Sequence, residues 1–155
     1  MSNVRKLASS KIRKITGGRD PIKLVEEFIS RKGFNPEECF QQKTPEITSW
    51  SLSLGGEQEL EISLEGTNSP LEATLYVGIN VLPLPLIGTQ DFLVAALTIA
   101  DTLIGAKLSL VNYDLVLSST VYIANMQVED IDYLFELITR QEANLRQAII
   151  EELSI

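Results

Sequence analysis

Apolar and polar positions change their period four times along the chain. "RDPIKLVEEFISRKG" has helical spacing, with Ile22, Val25 and Ile29 on one stripe and Phe28 beside it. Asp20 is placed to cap this helix and Pro21 to open it, where its missing N–H is not needed. Arg31 and Lys32 oppose the terminal dipole, and Gly33 can take the left-handed cap. Asn35-Pro36-Glu37 repeats the cap chemistry and predicts one short turn. The period then drops to two. In "EITSWSLSL", Trp50, Leu52 and Leu54 alternate with serines. In "ELEISLE", Leu60, Ile62 and Leu64 alternate with glutamates and a serine. In "LEATLYVGINV", Leu71, Ala73, Leu75, Val77, Ile79 and Val81 point one way, and Thr74, Tyr76, Gly78 and Asn80 the other. Short turns, "GGEQ" and "GTNSP", separate these runs and predict an antiparallel meander with one wet face.

The next block, "NVLPLPLIGTQDFLVAALTIADTLIGAKLSL", is the most apolar of the chain. Pro83 and Pro85 forbid a continuous helix through it. Thr89 is the expected cap of a helix from about Gln90 to Ile104, closed by Gly105. Its unbroken apolar stretch is far shorter than the ~20 residues needed to span a bilayer. The expectation is a buried central helix and no transmembrane segment. "AKLSLV" and "LVLSSTVYI" flank Asn112, Tyr113 and Asp114 as a second hairpin. A long helix closes the pattern, with Ile131, Leu134, Phe135, Ile138, Leu145 and Ile149 on one stripe and Glu129, Asp130 and Asp132 at its positive end. Its second half is expected to project or to meet a partner. The predicted fold class is α+β: a two-layer sandwich with an antiparallel sheet of about five strands, in the order α-β-β-β-α-β-β-α.

Charge divides the chain. Residues 1–19 form a basic leader with Arg5, Lys6, Lys11, Arg13, Lys14 and Arg19 and no acidic residue, within a 155-residue chain of net charge −8. Residues 20–155 are read as a single domain. So acidic a body argues against nucleic acid as its ligand. Val4, Leu7, Ile12 and Ile15 give the leader a loose helical stripe, ended by Gly17-Gly18. It is a solvated tail, or it docks on the acidic body, on a partner, or on an anionic membrane or nucleic acid surface. It lacks a continuous apolar core of signal-peptide type, and the single cysteine suits a reducing, cytoplasmic setting.

Catalytic chemistry is scarce. The sequence contains no histidine, which removes Ser-His-Asp triads, Cys-His pairs and zincin motifs. No glycine-rich phosphate loop occurs. Glu57, Glu59, Glu61 and Glu65 read as a solvated strand face, because alternation with leucine and isoleucine accounts for them. Cys39 and Trp50 read as core. Enzyme activity and a cofactor are therefore not expected. The candidate partner-binding residues are Leu82, Leu84, Leu86 and Ile87 of "LPLPLI", together with Tyr76 on the outer sheet face. Those leucines either plug the sheet edge or form an exposed patch that closes a dimer or takes a partner peptide.

"LIGAKLSLVNYDLVLSSTVYIANMQVEDIDYLFELI" has a glycine after the central helix, an alternating hairpin, a short polar link and a long acidic-headed helix. In this order of elements the chain resembles the YbjN family, itself similar in fold to the type III secretion chaperones. The likeness covers about Asp20 to Leu153, leaving the basic leader outside; the central-helix asparagines often seen in that family are missing here. The resemblance implies a secretion chaperone-like fold, a homodimer, an unidentified protein partner, and a non-enzymatic interaction module of chaperone-like or regulatory kind. The alternative function is an adaptor tethered through Arg5, Lys6, Lys11, Arg13 and Lys14 to an anionic surface.

Overall fold

In a computed structural model of the chain, residues 20–66 and 72–153 are described. The leader and Leu71 lie outside them. The elements run α1 (Pro21–Arg31), α2 (Pro36–Cys39), β1 (Phe40–Lys43), β2 (Ile47–Gly55), β3 (Gln58–Glu65), β4 (Thr74–Pro83), α3 (Thr89–Ala100), β5 (Lys107–Val111), β6 (Asp114–Tyr122) and α4 (Val128–Leu153). The strands form one antiparallel sheet in the order β1-β2-β3-β4-β6-β5, and the helices form the second layer. The predicted two-layer α+β class holds, with one strand more than expected. Among the described residues no helix is long and apolar enough to cross a membrane.

Strand register follows the alternation. Trp50 faces Ile62, Leu52 faces Leu60, and Ile62 and Leu64 face Val77 and Leu75. Ile79 faces Leu117, so one continuous apolar sheet crosses four strands. All of these side chains are buried. The β5–β6 hairpin closes through Asn112 and Tyr113, both with positive φ, the geometry of a two-residue type I′ turn.

The Asp20 side chain accepts the Ile22 N–H at 2.9 Å, and Pro21 occupies the first turn of α1. α1 buries Leu24, Val25, Phe28 and Ile29, so its inner face is turned slightly from the predicted stripe and Ile22 sits at its margin. The 26-residue α4 lies along β4 and β6 and touches α1 and α3. Its second half does not project: Leu145 and Ile149 are buried like Ile131 and Ile138. Where α1 meets α4, Lys32 Nζ pairs with Asp132 and with Glu136 at 3.0 Å, and stands 4.8 Å from the Phe135 ring centroid. Asp132, acting through its hydrogen bond, raises the Lys32 pKa against the effect of burial, with Glu136 adding to it. A raised lysine pKa contributes stability that is present throughout the neutral range and is lost only as pH rises through the raised value.

Two features were missed by the pattern. β1 is a strand although "FQQK" has no apolar alternation and all four residues are exposed. It forms because β2 offers it an edge; Phe40 faces Trp50, and a bulge follows before Gln42 faces Ser49. The other is Glu142, which occupies an inward position of α4 at 2% exposure. Its Oε1 lies 3.3 Å from Arg146 Nε one turn on and accepts no hydrogen bond. Burying a carboxylate there is costly, and an apolar replacement of similar volume removes that cost. Glu142→Met is therefore expected to leave stability unchanged or raise it by up to about 2 kcal/mol, measured by urea denaturation. A loss of more than ~1 kcal/mol would mean that the carboxylate bonds to something else.

Candidate protein-interaction surfaces

The "LPLPLI" segment divides in two. Strict alternation would put Leu82 outward with Tyr76, Gly78 and Asn80. A register shift between Asn80 and Leu82 instead sets Leu82 opposite Leu115, on the inner face. Leu84 donates its N–H to the Tyr113 carbonyl at 2.7 Å, and both leucines rest against the core. Leu86 and Ile87 stand 99% and 91% exposed. Gly88, with φ +74, then turns the chain into α3. Gly88 is the cap position in place of the expected Thr89, whose hydroxyl donates back to the Pro85 carbonyl at 2.7 Å.

The central helix is shorter than predicted and is not interior filling. It ends at Ala100, and only Phe92, Ala95 and Ala96 are buried. Two alanines let the helix backbone sit close but bury little surface. Val94 and Leu97, three residues apart on the outer side, are 58% and 68% exposed. Past the helix, Gln141 on α4 clamps both backbone groups of Ile104, accepting its N–H at 3.1 Å and donating to its carbonyl at 3.0 Å. The Ile104 side chain is left 78% exposed. Leu86, Ile87, Val94, Leu97 and Ile104 thus form an apolar shoulder along α3 and its flanks. Tyr76, grouped with the leucines by the sequence reading, lies on the opposite side of the sheet.

A second surface lies at the sheet edge. Among the described residues β1 pairs only with β2, so its outer backbone groups have no partner strand there. Beside it a hollow of about 410 Å³ is lined by Glu26, Pro36, Phe40 and Trp50 among others, with Phe40 43% exposed. Cys39, next to this edge, is buried, and burial followed by the Glu38 charge pushes its thiol pKa up. That holds the thiol away from the nucleophilic thiolate form.

The third surface is the outer sheet face, which the helices among the described residues leave uncovered. A recess of about 420 Å³ there is lined by Ser51, Glu59, Glu61, Tyr76, Asp114 and Val116 among others. The Tyr76 ring lies across Gly78, where any Cβ would collide with the phenol. Burial, followed by the Glu61 charge, raises the Tyr76 pKa against the effect of its hydrogen bond to Ser118. Among the described residues no group of three metal-ligating side chains converges.

No family model and no curated protein matches the sequence. Solved structures do match in fold. A chain of the ExsC–ExsE complex superposes with a TM-score of 0.55 at 12% identity, over 81% of this chain and 90% of its own. A chain of the HopA1–SchA chaperone–effector complex gives 0.53 at 12%, over 81% and 91%. One from the heterodimeric ExoU–SpcU complex of the Pseudomonas aeruginosa type III secretion system gives 0.52 at 13%, over 80% and 96%. The fold is that of the type III secretion chaperones.

The packing of Tyr76 on Gly78 can be tested by a double-mutant cycle. Gly78→Ala is expected to displace the ring, break its bond to Ser118 and destabilise the protein by about 1–2 kcal/mol. In a Tyr76→Ala background the same change should cost almost nothing, read from chemical denaturation.

Proposed function

We propose that this chain is a non-enzymatic protein-interaction module of chaperone-like type that pairs with a second copy through the α3 shoulder and holds an extended partner segment along the β1 edge. One observation carries the reading. The core is filled by large buried side chains, yet Leu86, Ile87, Val94, Leu97 and Ile104 are left in water. Isolated exposed apolar residues are ordinary, but five of them on and immediately beside one short helix supply the material of an interface. The protein–protein complexes in which the structural neighbours occur support a binding role. A sheet edge beside a hollow that combines Pro36 and Phe40 with Glu26, Asn35 and Glu37 suits strand addition, with backbone bonds supplying affinity and the hollow taking a side chain. A regulatory role of YbjN type fits the same surfaces, and a single buried thiol suits work in the cytoplasm.

Light scattering after size exclusion is expected to give twice the 17.2 kDa chain mass. Ile87→Asp with Leu97→Asp should yield a monomer that keeps the parent's far-UV circular dichroism, because both side chains are exposed in the single chain, and that melts somewhat lower because it has lost the association. A monomeric parent protein at high concentration would remove the dimer. For the edge, random peptides displayed on phage should be enriched by the immobilised protein, with apolar residues at alternate positions. Phe40→Asp should abolish that enrichment; no enrichment by the parent protein would end the chaperone-like reading.

A further inference from the structure

We propose that the basic leader, residues 1–19, docks on the open outer face of the sheet of its own chain. This goes beyond the dimer and edge reading and does not depend on either.

Among the described residues no helix covers the face, and it has a shape to fill. Its recess of about 420 Å³ falls within the ~300–1,000 Å³ usual for binding sites. Tyr76 and Val116 supply apolar floor, and Glu59, Glu61 and Asp114 supply negative charge. Glu65 continues the same row of β3. The fold does little to neutralise that charge. Arg31, Lys32 and Arg146 are all committed to carboxylates in the helical layer. Among the described residues no ion pair reaches Glu59, Glu61, Glu65 or Asp114. Lys107 stands on this face only at its far margin, opposite Ser118 on β5.

The complement is in the same chain. The leader has six cations and no acid, while residues 20–155 hold seven basic against twenty-one acidic side chains. Apolar Val4, Leu7, Ile12 and Ile15 interleave with the cations, matching a face that mixes carboxylates with Tyr76 and Val116. Reach is sufficient. Nineteen residues ending beside Asp20 can extend about 60 Å, several times the ~10 Å thickness of a packed layer. Tethering also decides the competition. A segment joined by a short linker meets its own chain at millimolar effective concentration, whereas an anionic membrane or nucleic acid must first overcome repulsion from the acidic body.

Limited trypsin digestion of the full chain at low salt tests this. Cleavage after Arg5, Lys6, Lys11, Arg13 and Lys14 should be at least about tenfold slower in the parent protein than in the Glu59→Gln, Glu61→Gln, Asp114→Asn variant. The difference should collapse in 0.5 M NaCl, roughly where screening shortens to a few ångströms. The three substitutions are on the outer face, and an unchanged thermal melt will show that the variant is folded. Carbodiimide coupling of the parent protein should join leader lysines to Glu59, Glu61 or Glu65. Equal cleavage of both proteins would overturn the proposal. So would protection that appears only when phosphatidylserine vesicles or duplex DNA are added.

Discussion

The inner rows of β2, β3, β4 and β6 are satisfied only when α1 and α4 lie across them, and the other features of the molecule follow from that packing. Leu60, Ile62, Leu75, Val77, Ile79 and Leu117 form one apolar sheet surface, and Phe28, Ile131, Ile138 and Ile149 cover it. At ~25 cal/mol per Å² of apolar area, this is the dominant favourable contribution to folding. Its directionality matters as much as its size. Strands of period two have one apolar face, so a single layer of helices completes the burial and leaves the other sheet face to water. The same packing sets Lys32 between Phe135 and the carboxylates of α4, which ties the ends of α1 and α4 together without adding to the core.

With that layer occupied by two helices, little inner surface remains for a third. α3 is therefore pressed to the side, where it contacts α4 and β5 rather than the centre of the sheet. Phe92, Ala95 and Ala96 lie inward and Val94 and Leu97 outward. This reverses what mean hydropathy alone would suggest for the most apolar segment of the chain. The apolar shoulder is thus a consequence of how the sandwich is filled. A helix displaced from the core by a longer neighbour retains the greasy composition of a buried one while presenting part of it to solvent.

Much of the fold was legible because local rules agreed with one another. Asp20 with Pro21 marked the start of α1, and alternation from Trp50 to Val81 set three strands and their faces. What was not legible required knowledge of neighbours. β1 carries no burial signal and exists by pairing with β2. Leu82 changed faces because one inserted residue shifts register, and a single-residue slip reverses every later side chain. Glu142 breaks the stripe of α4, and no sequence period announces a buried carboxylate. Of the five partner-binding candidates, Leu86 and Ile87 are in the shoulder, Leu82 and Leu84 are packed beneath it, and Tyr76 is across the sheet. Val94, Leu97 and Ile104 were missed because an apolar helix reads as core until the space available to it is known.

The division of charge follows a similar logic. Among the described residues Arg31, Lys32 and Arg146 make their ion pairs within the helical layer. The outer sheet face has carboxylates without such ties, and Glu61 acts through space on the Tyr76 phenol. A field that is not cancelled locally extends over about a Debye length, roughly 8–10 Å at ordinary salt, and selects what approaches that side. The apolar shoulder and the acidic face therefore differ in kind: contact at the first would be driven by removal of water and be largely indifferent to salt, and contact at the second would draw positive charge and weaken as salt rises. Because the sheet separates Tyr76 from the shoulder on α3, contact at one side need not exclude contact at the other. A sandwich whose described helices lie on one side in this way keeps its apolar shoulder and its acidic face on separate surfaces.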